Sequence, residues 1–212
     1  MNAEDEERDP STAPARVLLL RHAPTPATRA HTFPADEALD AEGAALAARL
    51  AAALPAADDL THDLAHERVV SSPARRCLQT AAGAGLAVDA TDPRLAELDF
   101  GAWTGRAMEE VWDAERDVMS RWMADPRVPT PDGEGWDDLA TRVTAALDDL
   151  REPGRTTLVV THGGVVRCAV ATVLGAPPEA AWRLDVAPCS LTVLRTGPTG
   201  DWLLEASNRR LV

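Results

Sequence analysis

A chain of 212 residues, 45% of them apolar, can bury a substantial core and is expected to form one domain. Its formal net charge of -13, from 34 acidic and 21 basic side chains, argues against a nucleic acid backbone as the main partner. All 21 basic residues are arginine, so a Walker phosphate loop and a pyridoxal Schiff base, which both need a lysine, are excluded.

The common nucleotide, zinc-protease and serine-hydrolase signatures G-x-G-x-x-G, H-E-x-x-H and G-x-S-x-G are absent from the sequence. Cys77, Cys168 and Cys189 are odd in number and widely spaced, so they read as reduced, buried thiols and not as a disulfide framework or metal knuckle. Cys168 also lacks the arginine six residues later that a cysteine phosphatase loop uses. No stretch reaches the roughly 20 apolar residues of a membrane span, and no secretory signal is visible, so no membrane partner and a cytoplasmic location are expected.

Residues 1–15 are acidic, contain Pro10 and Pro14, and lack large apolar side chains; they are expected to be a flexible tail ahead of a single domain over 16–212. Residues 16–20 form an apolar run ending before Pro24 and Pro26, a buried strand that delivers Arg21 and His22 at its C-terminal end. Over 40–54 alanines and leucines recur at helical spacing, and Pro55 is expected to end that helix. A strand over 68–71 is followed by Pro73, read as a first-turn residue, and a helix over 74–82 closed by Gly83 and Gly85. Residues 105–123 and 136–150 read as amphipathic helices, separated by a loop with Pro126, Pro129, Pro131 and Gly133. Residues 156–161 form a second strongly apolar strand, with His162-Gly163-Gly164 as its turn and a helix over 165–174. Segments 190–195 and 202–206 read as closing strands. Alternating strands and helices predict an α/β fold, whose ligand sites gather at the carboxyl ends of the strands.

His22 and His162 each follow an apolar strand, which puts both at one edge of one sheet. Arg21 and Arg76 stand at a strand exit and a helix start, where backbone N–H groups already favour an anion. Guanidinium forks bind phosphate oxygens bidentately and stabilise a transferring phosphoryl group. Their charge also disfavours imidazolium, which keeps a histidine nucleophile neutral.

These segments resemble the histidine phosphatase superfamily, in the branch of phosphoglycerate mutases and small cofactor-independent phosphatases. Arg21-His22-Ala23-Pro24-Thr25 is similar to that family's Arg-His-Gly-x-Thr, and Leu39-Asp40-Ala41-Glu42-Gly43 to its Leu-Thr-x-x-Gly. Ser71-Ser72-Pro73-Ala74-Arg75-Arg76-Cys77-Leu78-Gln79-Thr80-Ala81 is similar to Ser-Ser-x-x-x-Arg-Ala-x-Gln-Thr-Ala, which aligns the second phosphate arginine with Arg76 and not Arg75. The segment Leu95-Ala96-Glu97-Leu98-Asp99-Phe100-Gly101 resembles the one that holds the family's proton donor, and Thr161-His162-Gly163-Gly164 completes the set.

The resemblance implies a three-layer α/β/α sandwich with a mostly parallel sheet. It implies a phosphatase acting on a small phosphorylated metabolite: His22 as nucleophile, Glu97 as proton donor, and Arg21, Arg76 and His162 around the phosphoryl group. Gly163, Thr28 and Glu134 are the further substrate-binding candidates. Thr28 stands where the family often has an asparagine, Ala23 replaces a glycine, Pro24 stands where glutamate is common, and Gly135 replaces the serine after Glu134. Since arginine and histidine supply every charge, neither metal nor cofactor is expected. A phosphoglycerate-type mutase and a non-catalytic phospholigand-binding module are the competing functions. Structural roles compete too: a helix cap or ion pair for Glu97, solvent for Arg75, polar surface for His31, His62 and His66, and core packing for the tryptophans, with Trp103 near enough to Glu97 in sequence to line a pocket.

Overall fold

The computed structural model describes residues 13–57 and 68–212. Six strands form one sheet in the order β3-β2-β4-β1-β5-β6. They are β1 (Arg16–Arg21), β2 (Arg68–Ser71), β3 (Ala90–Thr91), β4 (Thr156–Thr161), β5 (Ser190–Thr196) and β6 (Trp202–Arg210). β3, β2, β4 and β1 pair in parallel, whereas β5 runs antiparallel to both β1 and β6. The mostly parallel sheet that the family resemblance implies is therefore the one observed.

β1 shows why three layers form. Its side chains alternate across the sheet. Val17 and Leu19 pack on one face with helices α6 (Trp136–Asp149) and α7 (Gly163–Val173), through Leu139, Val143, Val166 and Val170. Leu18 and Leu20 pack on the other with α2 (Ala41–Ala56) and α3 (Arg75–Gly83), through Ala47, Leu50, Cys77 and Ala81. With both faces covered, β1 and β4 must be apolar throughout, which is why they read as continuous runs. A third, smaller cluster of Phe33, Trp103, Val111, Met119 and Trp122 is formed with α4 (Met108–Ala114) and α5 (Arg116–Ala124).

Several boundaries differ from expectation for identifiable reasons. The helix expected to stop at Pro55 continues to Ala56, because so late in α2 the missing N–H forfeits a single bond; Ala57 N–H still closes onto Ala53 O at 3.1 Å. Pro73 lies outside α3, whose N-cap is Ala74, and Gly83 belongs to the last turn. There a Cβ on Gly83 would come within 2.8 Å of Ala47 Cβ, so the glycine sets how closely α3 approaches α2. The amphipathic stretch 105–123 is two helices. Glu115 breaks it with φ -135°, and its carboxylate accepts from Trp103 Nε1 at 2.9 Å and Arg106 Nη1 at 2.5 Å. Gly163 and Gly164 form the first turn of α7, with His162 as its N-cap. β6 runs beyond residue 206, with register irregularities against β5 between Leu191 and Leu194.

Among the described residues, five elements have no counterpart in the sequence expectations: the two-residue β3, a short helix α1 (Pro26–Ala30), and the 3-10 segments Pro93–Leu95, Gly101–Trp103 and Pro178–Arg183. Of the expected tail, residues 1–12 lie outside the described residues, as do His62 and His66. Ala15 is buried, and its N–H donates to Thr196 Oγ1 at 2.9 Å. Among the described residues no helix is long and apolar enough to cross a membrane. All three cysteines are free and buried.

Candidate active site

The site follows from strand register. Arg21 pairs with Thr161, and Ser71 with Val160, so β1, β4 and β2 end at one edge. The next residues continue the ladder: His22 N–H donates to Thr161 O and Ser72 N–H to Val160 O, both at 2.9 Å. His22, His162 and Ser72 therefore leave the sheet side by side, and the two imidazole centroids are 5.2 Å apart with planes at 66°.

Both imidazoles are buried, and their tautomers follow from their partners. His22 Nδ1 lies 2.7 Å from Ala23 O, an acceptor only, so Nδ1 carries the proton and Nε2 keeps its lone pair. His162 Nδ1 lies 3.2 Å from Arg76 Nη2, a donor only, so its proton is on Nε2, which donates to Ser72 Oγ at 2.8 Å. Burial first, then His162 and Arg76, and Arg21 more weakly, hold the His22 imidazolium pKa well below 6.5. His162 is held down by burial, Arg76, Arg142 and Arg21. Guanidinium charge thus acts in the expected direction, with burial as the larger cause. Cys77 Sγ is 3.4 Å from His162 Nε2, but burial pushes its thiol up to about 12, so it is a packing neighbour and no nucleophile.

The arginines are held by backbone oxygens. Arg21 Nη1 donates to Val186 O and Arg76 Nη1 to Ala35 O, both at 2.5 Å, while Glu37 stands 3.8 Å from Arg76. The Nε atoms of both guanidiniums are buried without a hydrogen-bond partner among the described residues. Arg76 is buried, whereas Arg75 is exposed, and its backbone N–H donates to Asp36 Oδ1 at 2.8 Å.

Glu97 reaches the same edge from the segment after the 3-10 turn Pro93–Leu95. Thr161 Oγ1 donates to Leu95 O at 2.8 Å, and Arg142 donates to Arg94 O, Ala96 O and Glu97 O at 2.7, 2.6 and 3.0 Å. The Glu97 carboxylate accepts from Leu98 N–H at 3.1 Å and Gly164 N–H at 3.3 Å, at the N-terminal turn of α7. A Cβ on Gly164 would lie 2.1 Å from Glu97 Oε1, so only glycine leaves the carboxylate where it is. Glu97 also lines the open cleft it shares with Arg76, Pro73 and Phe100.

Two candidates occupy other positions. Glu134 spends both oxygens on Arg142, at 2.9 and 2.8 Å, and accepts from Asp99 N–H at 3.0 Å, which places it behind Glu97 as a brace for Arg142. Thr28 closes a capping box at the start of α1, its hydroxyl 3.3 Å from Thr25 N and 3.1 Å from Thr25 Oγ1. Gly163 packs beside Arg21; a Cβ there would lie 3.3 Å from Arg21 Nε. Sequence reasoning gave no role to Ser72, although the Ser-Ser-Pro motif contained it. It also missed Arg142, for which nothing local gave a signal. Trp103 is fully buried core, and among the described residues no His, Cys, Asp and Glu cluster could hold a metal.

Two predictions follow from this geometry. Gly164→Ala should retain the fold, because the obstructed atom ends a flexible side chain, yet displace the Glu97 carboxylate. A crystal structure of the variant should show the carboxylate moved, with Tm nearly unchanged. The neutral histidines tie stability to pH: an unfolded imidazole takes up a proton below about 6.5, whereas folded His22 and His162 resist it. Stability is therefore complete above 6.5 and falls below it, by about 1.4 kcal/mol per pH unit for each histidine that stays neutral. Urea unfolding between pH 5 and 7.5 should show this slope, and His22→Gln should remove one proton's share.

The sequence profile of the histidine phosphatase superfamily (branch 1) matches residues 17–209. Bifunctional protein Rv2228c of Mycobacterium tuberculosis is 34% identical over 149 residues, 68% of this chain and 40% of that protein. Probable phosphoglycerate mutase GpmB of an Enterobacter species is 41% identical over 106 residues, 48% of each chain. The chain thus spans two fifths to half of these curated relatives. Among solved structures, mycobacterial glucosyl-3-phosphoglycerate phosphatase Rv2419c, complexed with VO3, superposes with a TM-score of 0.77 at 26% identity, covering 92% of this chain and 99% of that one. The profile match spans the sheet, both histidines, both arginines and Glu97, and the chain belongs to the histidine phosphatase superfamily, branch 1.

Proposed function

We propose that this chain is a phosphatase for small phosphomonoesters that works through a phosphohistidine on His22. The observation that carries the reading is the state of His22: buried, neutral, its Nδ1 proton on Ala23 O and its Nε2 lone pair available beside Arg21, Arg76 and His162. The Nε2 lone pair forms the bond to phosphorus as the bond to the ester oxygen breaks, and Glu97 gives its proton to that departing oxygen. The phosphoimidazole keeps its Nδ1 proton on Ala23 O. Water then attacks phosphorus, its proton passes to the Glu97 carboxylate, and the N–P bond breaks to release phosphate and regenerate neutral His22. Arg21 and Arg76 stabilise the charge on the equatorial oxygens with fixed positive charge. The vanadate named with the mycobacterial phosphatase supports the same pocket chemistry here, because vanadate resembles a phosphoryl group.

The relative named as a phosphoglycerate mutase supports a second reading, in which the phosphohistidine is passed to another hydroxyl and not to water. A panel of phosphomonoesters with and without a bisphosphoglycerate primer separates the two. Phosphate release without primer, and undiminished by a chelator, is expected; release that a chelator abolishes, or phosphoryl exchange dependent on primer, would overturn the phosphatase. His22→Ala should abolish acid-labile phosphoenzyme, and Arg76→Ala should cost far more activity than Arg75→Ala.

Glu97→Gln tests the proton donor through the leaving group. Hydrolysis of alkyl phosphates should slow by about 10² to 10⁴, and that of p-nitrophenyl phosphate far less, since a good leaving group departs without a proton. Equal slowing of both would assign the proton to another group.

A further inference from the structure

Glu97 also lines a second pocket, which Arg76 does not line and to which the proposed chemistry gives no role. Its walls include Glu97 and Gly164, the indoles Trp122, Trp136 and Trp182, and the guanidinium of Arg167. Trp122 is buried and rigidly placed, with ring centroids 5.7 Å from Trp103, 6.1 Å from Phe33 and 5.1 Å from Trp182. Trp182 is 44% exposed at the rim, on the 3-10 segment Pro178–Arg183. That segment is tied to the loop after α5 by Arg127 and Glu179, 2.8 Å apart.

Arg167 gives the pocket a charge. Its Nε donates to Leu184 O at 2.9 Å, and among the described residues no carboxylate pairs with it. Arg167 Nη1 and Arg21 Nε each lie 3.3 Å from where a Cβ on Gly163 would be, so two cations flank the start of α7. Arg21 serves the phosphoryl group in the proposed chemistry, whereas Arg167 opens on the indole-lined side. A guanidinium at an aromatic wall, without a carboxylate of its own, suits an anionic group carried on a flat apolar body.

We infer that this pocket receives the leaving group of the phosphomonoester, and that the leaving group is a ring system bearing an anionic substituent, stacked among Trp122, Trp136 and Trp182 and paired with Arg167. The inference rests on the phosphatase reading, in which Glu97 protonates the ester oxygen: of the two pockets that Glu97 lines, this one holds the indoles and a guanidinium other than those of the phosphoryl arginines.

The test compares kcat/KM for ethyl phosphate, phenyl phosphate and 4-carboxyphenyl phosphate. In Arg167→Gln the ratio of carboxyphenyl to phenyl ester should fall about 10- to 100-fold, the worth of a charge-assisted hydrogen bond. In Trp182→Ala the ratio of phenyl to ethyl ester should fall about 10-fold. Unchanged ratios would overturn the inference while leaving the phosphatase reading intact, and an equal loss on all three esters in Arg167→Gln would make Arg167 a phosphoryl ligand instead. Binding supplies a readout independent of turnover. The uncleavable 4-phosphonobenzoate should quench tryptophan emission of the wild-type protein and bind about 10- to 100-fold more weakly to Arg167→Gln. That result supports the pocket even if no ester is hydrolysed, and equal affinity for the two proteins would overturn it.

Discussion

Everything at the site depends on the register of three parallel strands. Because Arg21 faces Thr161 and Ser71 faces Val160, the residues just past β1, β4 and β2 emerge together as His22, His162 and Ser72. A slip of one residue would turn every side chain of a strand to the opposite face. Leu18, Leu19, Val159 and Val160 are packed on both faces of the sheet, and a slip would put side chains of other shapes into each layer, so the packed core fixes the distance between the histidines. Catalytic geometry here is a consequence of packing, and the same burial that sets the register also keeps both imidazoles neutral.

How much of this was legible in the sequence follows from the range of the interactions. β1 and β4 could be read because strands buried on both faces are apolar at every position. The histidines and Arg76 could be read because they sit within a residue or two of element ends. β6 was cut short because it is an edge strand with alternating exposure and an irregular register. α1 has a local signal of its own: Thr25 followed by Pro26, with Thr28 three residues on, is an N-cap followed by proline at a first helical position. The break at Glu115 and the anchoring of residues 94–97 by Arg142 depend on partners up to 48 residues distant, and no local pattern reports those.

The Glu97 segment shows how a loop is made rigid without secondary structure of its own. Arg142 donates to three consecutive-region carbonyls and is itself held by the Glu134 carboxylate, while Thr161 fixes Leu95 from the sheet. A family resemblance that places Glu134 near the substrate is met here by a carboxylate whose oxygens are engaged one layer away. Its influence on chemistry then passes through Arg142 to the backbone of Glu97. Glu97 itself accepts from an N–H at the start of α7 and also lines the cleft beside Arg76.

A chain with net charge -13 must keep its functional arginines from being neutralised by its own carboxylates. The anchors of the arginines show how this is done. Arginines with structural duties are paired with acids: Arg16 with Glu205, Arg94 with Asp92, Arg106 with Glu115, Arg142 with Glu134. Arg21, Arg76 and Arg167 are oriented instead by the carbonyls of Val186, Ala35 and Leu184, with Glu37 no nearer to Arg76 than 3.8 Å. A carbonyl fixes a guanidinium in place yet leaves its full charge unspent, whereas a carboxylate at contact would cancel most of the field a phosphate dianion is meant to meet. Burial disfavours the charged form of Arg21, whose pKa it lowers, and in the proposed chemistry a bound anion offsets that cost. The choice of partner therefore separates Arg21, Arg76 and Arg167, to which the proposed chemistry and the inferred pocket give a ligand, from the four arginines paired with acids inside the fold.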